Sequence, residues 1–176
     1  MQHSVHSVFG APIRLKARAG WDILVNSVGY GGLTMYGGWA ASGQGVFPPI
    51  VGVVAAFVAF FAGFYPLTQV YQMEEDSRRG DRTVALILGK RGSLCLACIG
   101  VAAGFVLLFA EVLQGGWSLR SMGLVVAVAG WAAVLIPWCV KWRTVDPSYE
   151  QRGFYLALYV RALTDIATAI AFMPLG

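Results

Sequence analysis

Charge is what this sequence has least of. Charged residues make up 12% of its 176 positions, about half the share of a soluble domain, whereas 57% are apolar. That deficit excludes a single water-facing core. Cysteine is scarce too. Cys95, Cys98 and Cys139 lie in or beside apolar stretches, so the paired framework of a small secreted domain is excluded. A hydrophobic leader is also lacking: MQHSVHSVFGAPIRLKARAG is polar and basic, and no signal peptide is expected. The net charge of +4 is not gathered into a basic run with interleaved aromatics. A nucleic-acid partner is therefore not expected.

What is present in quantity is long apolar runs. Crossing a bilayer takes about 20 helical residues, and five stretches reach that length: 22–42, 47–71, 93–113, 122–141 and 154–175. The expectation is an all-α polytopic membrane protein, with residues 1–176 forming a single transmembrane domain. Eleven of the thirteen basic residues fall in the tail (Arg14, Lys16, Arg18), the second loop (Arg78, Arg79, Arg82, Lys90, Arg91) or the fourth (Lys141, Arg143, Arg152). By the positive-inside rule these are cytoplasmic, and the C-terminus lies outside. A cytoplasmic membrane of bacterial type is the expected location.

Small residues recur at four-residue spacing: Gly100 and Gly104, then Ala55, Ala59 and Gly63, then Thr34, Gly38 and Ser42. Such stripes let helix backbones approach closely in lipid. Trp21, Trp39, Trp117 and Trp142 fall near span ends, as an aromatic belt requires.

Chemistry concentrates in 65–92, YPLTQVYQMEEDSRRGDRTVALILGKRG. Tyr65, Gln69, Gln72 and Asp76 are spaced four, three and four apart and so share one face of a continuous helix, with Glu75 close to it. Gly80 is the expected helix stop. Mg²⁺ takes one or two protein carboxylates and completes its octahedron with water and substrate phosphates. Arg78, Arg79 and Arg82 suit the remaining oxygens of a diphosphate. The residues alone leave a second reading open, a solvated charged loop that only enforces topology.

These residues resemble a known family. YQMEEDSRRGDRTVALILG is similar to the second aspartate-rich motif of the UbiA-type intramembrane prenyltransferases, with Asp76, Gly80, Arg82, Thr83, Leu88 and Gly89 in the expected places. APIRLKARAGWDILVNSVGYGGLTMYGGWA resembles the family's Pro-x-Arg-x-Lys loop and following helix. The resemblance implies a nine-helix ring in which two aspartate-rich loops hold Mg²⁺ and a polyprenyl diphosphate. An aromatic or other lipophilic acceptor then captures the prenyl cation. It implies that this chain is the C-terminal five-helix portion, with the other aspartate-rich motif absent and a missing N-terminal half or partner chain required for activity. Asp76 and Glu75 are the implied metal ligands and catalytic carboxylates. Arg14, Lys16, Asp22, Asn26, Gln72, Arg78 and Arg82 are implied substrate contacts, Gln72 standing where most members carry aspartate.

Other polar residues are read more plainly. Asp22, Asn26 and Tyr30 form a stripe that should face a cavity or a neighbouring helix, because lipid exposure of Asp is costly. Arg161 and Asp165 are expected to pair within the last span. Glu111 reaches the interface, and His3 and His6 lie in an exposed tail. Cys95-x-x-Cys98 is read as helical packing on a reducing side rather than a redox centre. Two functions are carried forward: a UbiA-like prenyltransferase portion, and a non-catalytic five-helix membrane protein, either a remnant or an assembly partner.

Overall fold

The structure, a computed structural model, describes residues 20–43, 45 and 48–172. Among them every regular element is helical: α1 (Trp21–Asn26), a π-helical stretch (Ser27–Leu33), α2 (Thr34–Ala41), α3 (Pro48–Val70), α4 (Met73–Arg78), α5 (Val84–Gly115), a 3₁₀ turn (Leu119–Ser121), α6 (Met122–Lys141) and α7 (Pro147–Phe172). Four helices are long and apolar enough to cross a membrane, bounded as Pro49–Val70, Val84–Gly115, Leu119–Lys141 and Pro147–Phe172. The first expected span differs. Residues 21–41 are helical throughout, yet the middle is wound as π-helix. Gly31 and Gly32 in that stretch lack the side chains that would hold its backbone away from α3. A Cβ on Gly31 would sit 2.7 Å from the Phe57 carbonyl oxygen.

The third and fifth expected spans begin earlier than their hydropathy suggests, at Val84 and Pro147. Both starts are explained by capping. Thr83 is extended and its hydroxyl accepts from the Leu86 amide at 3.4 Å. The Asp146 carboxylate accepts from the Tyr149 amide at 2.8 Å, ahead of Pro147 at the first helical position.

The core is a seam between α3 and α5. Gly63 and Gly100 face each other so closely that a Cβ on Gly100 would meet the Gly63 Cα at 2.6 Å. One turn away, Phe60 lies over Gly104 and packs edge-on against Phe105 at 4.9 Å. Ala59, Gly63, Gly100 and Gly104 of the expected stripes thus make the packing surface, in the way small residues associate helices in lipid, whereas Ala55, at the start of the first stripe, is exposed. The third stripe is not. Thr34, Gly38 and Ser42 are exposed, and no atom lies within 4 Å of where a Gly38 Cβ would be.

The helices α6 and α7 form an antiparallel hairpin. Trp138 fills the space left by Gly153, and the Trp131 indole donates to the Thr164 hydroxyl at 3.0 Å. Arg161 pairs with Asp165, Nε to Oδ1 2.8 Å, as the i to i+4 spacing predicts. Its guanidinium lies over Phe57 of α3, 4.9 Å from the ring centre. That contact explains how an arginine is accommodated inside a span.

Candidate functional site

At the end of the bundle that carries α4, apolar packing gives way to a hydrogen-bonded cluster. Asp22 enters from the first turn of α1 and is only 5% exposed. Its carboxylate accepts from the Asn26 side-chain amide at 2.9 Å and from the Gln69 amide at 3.5 Å. Gln69 Oε1 in turn accepts from the backbone N–H of Ala85 at 3.2 Å. One buried glutamine therefore ties α1, α3 and the start of α5 together. Tyr65, one turn before Gln69, directs its hydroxyl to Asp22 and Gln69 and feels the charge of Asp76.

Asp76 is 8% exposed and is the buried residue of α4. The other charged residues of that helix face outward, where Arg78 pairs with Glu74 and Arg79 with Glu75. The sequence places Gln72 on the same face as Tyr65, Gln69 and Asp76, but a turn at Tyr71–Gln72 breaks the helix and changes its phase. Gln72 is exposed and donates to the Tyr71 hydroxyl at 2.6 Å. Asp76 returns to the cluster because α4 restarts at Met73.

Two regions emerge from one motif. The inward cluster contains Asp22, Asn26, Tyr65, Gln69 and Asp76. The outward groove, about 690 Å³ in volume, is lined by Gln72, Glu75, Arg78, Arg79, Lys90 and Glu150 among others. In the groove Lys90 pairs with the buried Glu150 at 2.6 Å, so its cations are charge-balanced by neighbouring carboxylates. Arg82 is exposed on the turn between α4 and α5. Arg14, Lys16, His3 and His6 lie outside the described residues.

Much of the motif serves backbone geometry. Gly80 has φ +72. The amide of Asp81 donates to the Asp76 carbonyl at 3.0 Å and that of Gly80 to Ser77 at 3.1 Å, the paired bonds of a Schellman stop. Thr83 caps α5, and Gly89, at φ 67 and ψ 172, breaks it one turn later. These positions aim Asp76 inward and bring the Ala85 amide onto Gln69. Sequence reasoning put Gln69 on the right face but gave it no role. The missing signal was its partner, an amide sixteen residues away.

Beside the polar cluster an aromatic wall descends into the bundle. Tyr30 stacks on Phe61 at 5.8 Å, and Phe61 on Tyr65 at 6.1 Å. Asp22 and Asn26 of the expected stripe join the cluster, while Tyr30, 68% exposed, joins this wall.

Among the described residues no three of His, Cys, Asp or Glu converge as a ready-made metal centre. The donor set still suits Mg²⁺ held jointly with a substrate. Asp76 and Asp22 are both buried carboxylates whose charge reaches Tyr65, and this ion takes one or two protein carboxylates with phosphate and water as its other ligands.

No curated protein and no solved structure matches the chain significantly. The model of the UbiA prenyltransferase family matches residues 5–159, a range that spans α1 through the first half of α7. With its apolar helices and its buried Asp76 in the short helix that follows one of them, the chain belongs to the UbiA prenyltransferase family.

Proposed function

We propose that this chain carries out the diphosphate half of a prenyl transfer, in which a polyprenyl group passes from its diphosphate to an aromatic or other lipophilic acceptor. The observation that carries the reading is Asp76: a buried carboxylate whose charge reaches Tyr65, the tyrosine that also faces Asp22 and Gln69, within a chain of this family. The competing reading, a charged loop that only sets topology, gives no reason to turn one acid of α4 inward.

In this reading residues 21–41 make a fifth span and the five helices form part of a ring. The basic end of the bundle faces the cytoplasm, and the C-terminus lies outside. Asp76 would hold the metal, with Asp22 as the second buried carboxylate of the site. Glu75 joins only by leaving Arg79. Bound there, Mg²⁺ would offset the charge of the leaving diphosphate. Arg78 and Arg82, with Arg14 and Lys16 from the preceding loop, supply further cations to its oxygens. Asn26 and Gln69 orient the Asp22 carboxylate. Carbon–oxygen cleavage leaves an allylic cation, and the faces of Tyr65, Phe61 and Tyr30 lie where such a charge is attracted to aromatic rings. The prenyl tail extends along that wall into the apolar interior.

A diphosphate needs carboxylates on both of its sides, and this site supplies one. The chain alone should therefore release no diphosphate from a polyprenyl diphosphate in the presence of Mg²⁺. Co-expression with the N-terminal half of a family member, carrying the first aspartate-rich motif, should restore transfer. In that pair Asp76→Asn should lower the rate by about 100-fold or more while the protein still inserts. Full Mg²⁺-dependent transfer by Asp76→Asn contradicts the assignment. Reporter fusions at Lys90 and after Gly176 should report opposite sides of the membrane.

A further inference from the structure

Cys98 of α5 and Cys139 of α6 meet across the helix interface, with their sulfurs 3.7 Å apart. Both thiols are free and partly buried, whereas Cys95, three residues before Cys98, is exposed. We propose that Cys98 and Cys139 are a redox modification site: an organic hydroperoxide dissolved in the bilayer converts this dithiol to a disulfide that ties α5 to α6.

The contact exists only in the fold. The two residues are 41 positions apart, and the sequence pairs Cys98 more naturally with Cys95, one helical turn away. On one helix those two side chains lean the same way and no bridge closes between them without unwinding the turn. Cys98 and Cys139 project toward each other from facing helices, so side-chain rotation can bring the sulfurs from 3.7 Å to the ~2.05 Å of a disulfide.

The chemistry balances with one oxidant. The sulfur of one cysteine attacks the terminal oxygen of the hydroperoxide, the O–O bond breaks, and the alcohol departs, leaving a sulfenic acid. The second sulfur displaces water from that sulfenic acid and the S–S bond forms. The two thiols lose two electrons and two protons in all, and the hydroperoxide becomes one alcohol and one water. A small thiol reverses the step by exchange through a mixed disulfide.

The place of the bond gives it a consequence. Trp138, beside Cys139, is seated on Gly153 of α7, and Glu150 of α7 is paired with Lys90 of α5 at 2.6 Å. This corner of α5, α6 and α7 is where the α6–α7 hairpin joins the α3–α5 seam. A disulfide there adds a covalent tie between the two halves of the bundle.

The test uses the full chain in lipid nanodiscs, treated with tert-butyl hydroperoxide, then denatured, alkylated with N-ethylmaleimide and weighed intact. The untreated protein should take up three maleimides and the oxidised protein one, on Cys95. Digestion should yield a cross-linked peptide joining Cys98 to Cys139, and dithiothreitol should return all three sites. Oxidation should raise the thermal midpoint by about 5 °C. Cys98→Ala and Cys139→Ala should each abolish the link and the shift, and Cys95→Ala should abolish neither. Three maleimides after oxidation, a Cys95–Cys98 link or a link between two chains would each overturn the proposal.

Discussion

Through the middle of the bundle α3 meets α5 by subtraction: Gly63 faces Gly100 and Phe60 covers Gly104. At its other end the same helix meets α1 and α5 by addition, through both heteroatoms of the Gln69 side chain. The first seam is held by close contact of small residues. The second is held by hydrogen bonds among buried groups that must all be satisfied. The difference teaches where each kind of change is tolerated. The dry seam has no room for a methyl group, and the polar end has no spare partner for an amide.

The strongest way to break this contrast is Gly100→Val. Its Cβ would fall 2.6 Å from the backbone of Gly63, and backbone cannot rotate aside. We expect a loss of about 3 kcal/mol or more, seen as a collapse in the yield of monodisperse protein. Gln69→Leu should come next. It keeps the volume but strands the Ala85 amide and loosens Asp22, so about 1–3 kcal/mol should be lost. Because Gln69 touches the Asp22 carboxylate, transfer in the reconstituted pair should fall as well. Gln69→Leu with unchanged stability and unchanged activity would mean that the three-element tie carries no weight.

The smallest effect sharpens the comparison from the other side. Gly38→Ala lies in a stripe with the same spacing as the packed ones, yet its Cβ would meet open space. The change should cost no stability and should add up to about 1 kcal/mol, the helix preference of Ala over Gly. Thermal unfolding of Gly38→Ala beside Gly100→Val therefore separates a small residue that packs from one that merely recurs.

That pair also marks what the sequence discloses. Spacing identifies small-residue stripes but not which of them meets a partner; Gly63 and Gly100 are found together only because α3 and α5 are adjacent. Hydropathy located four of the spans, since an apolar run of this length has one stable form in lipid. It could not show the π winding of Ser27–Leu33, which depends on Gly31 lying against the Phe57 carbonyl. Helical arithmetic put Tyr65, Gln69 and Asp76 on one face; Gln69 and Asp76 are buried and both act on Tyr65, although a break at Gln72 replaces the one continuous helix. Arithmetic therefore failed for Gln72 itself. Glu75 was read close to the same face, but its carboxylate is turned outward to Arg79.

The division of α4 into one inward acid and several outward ones is the centre of the functional account. Its most direct test is Mg²⁺-dependent binding of a fluorescent polyprenyl diphosphate analogue to the chain in nanodiscs, alone and with the complementary N-terminal half. Asp76→Asn should remove the Mg²⁺-dependent part of the binding, whereas Glu75→Gln should weaken it by no more than about threefold, since an exposed ion pair contributes little. Equal binding by wild type and Asp76→Asn, or a loss confined to Glu75→Gln, would contradict the account.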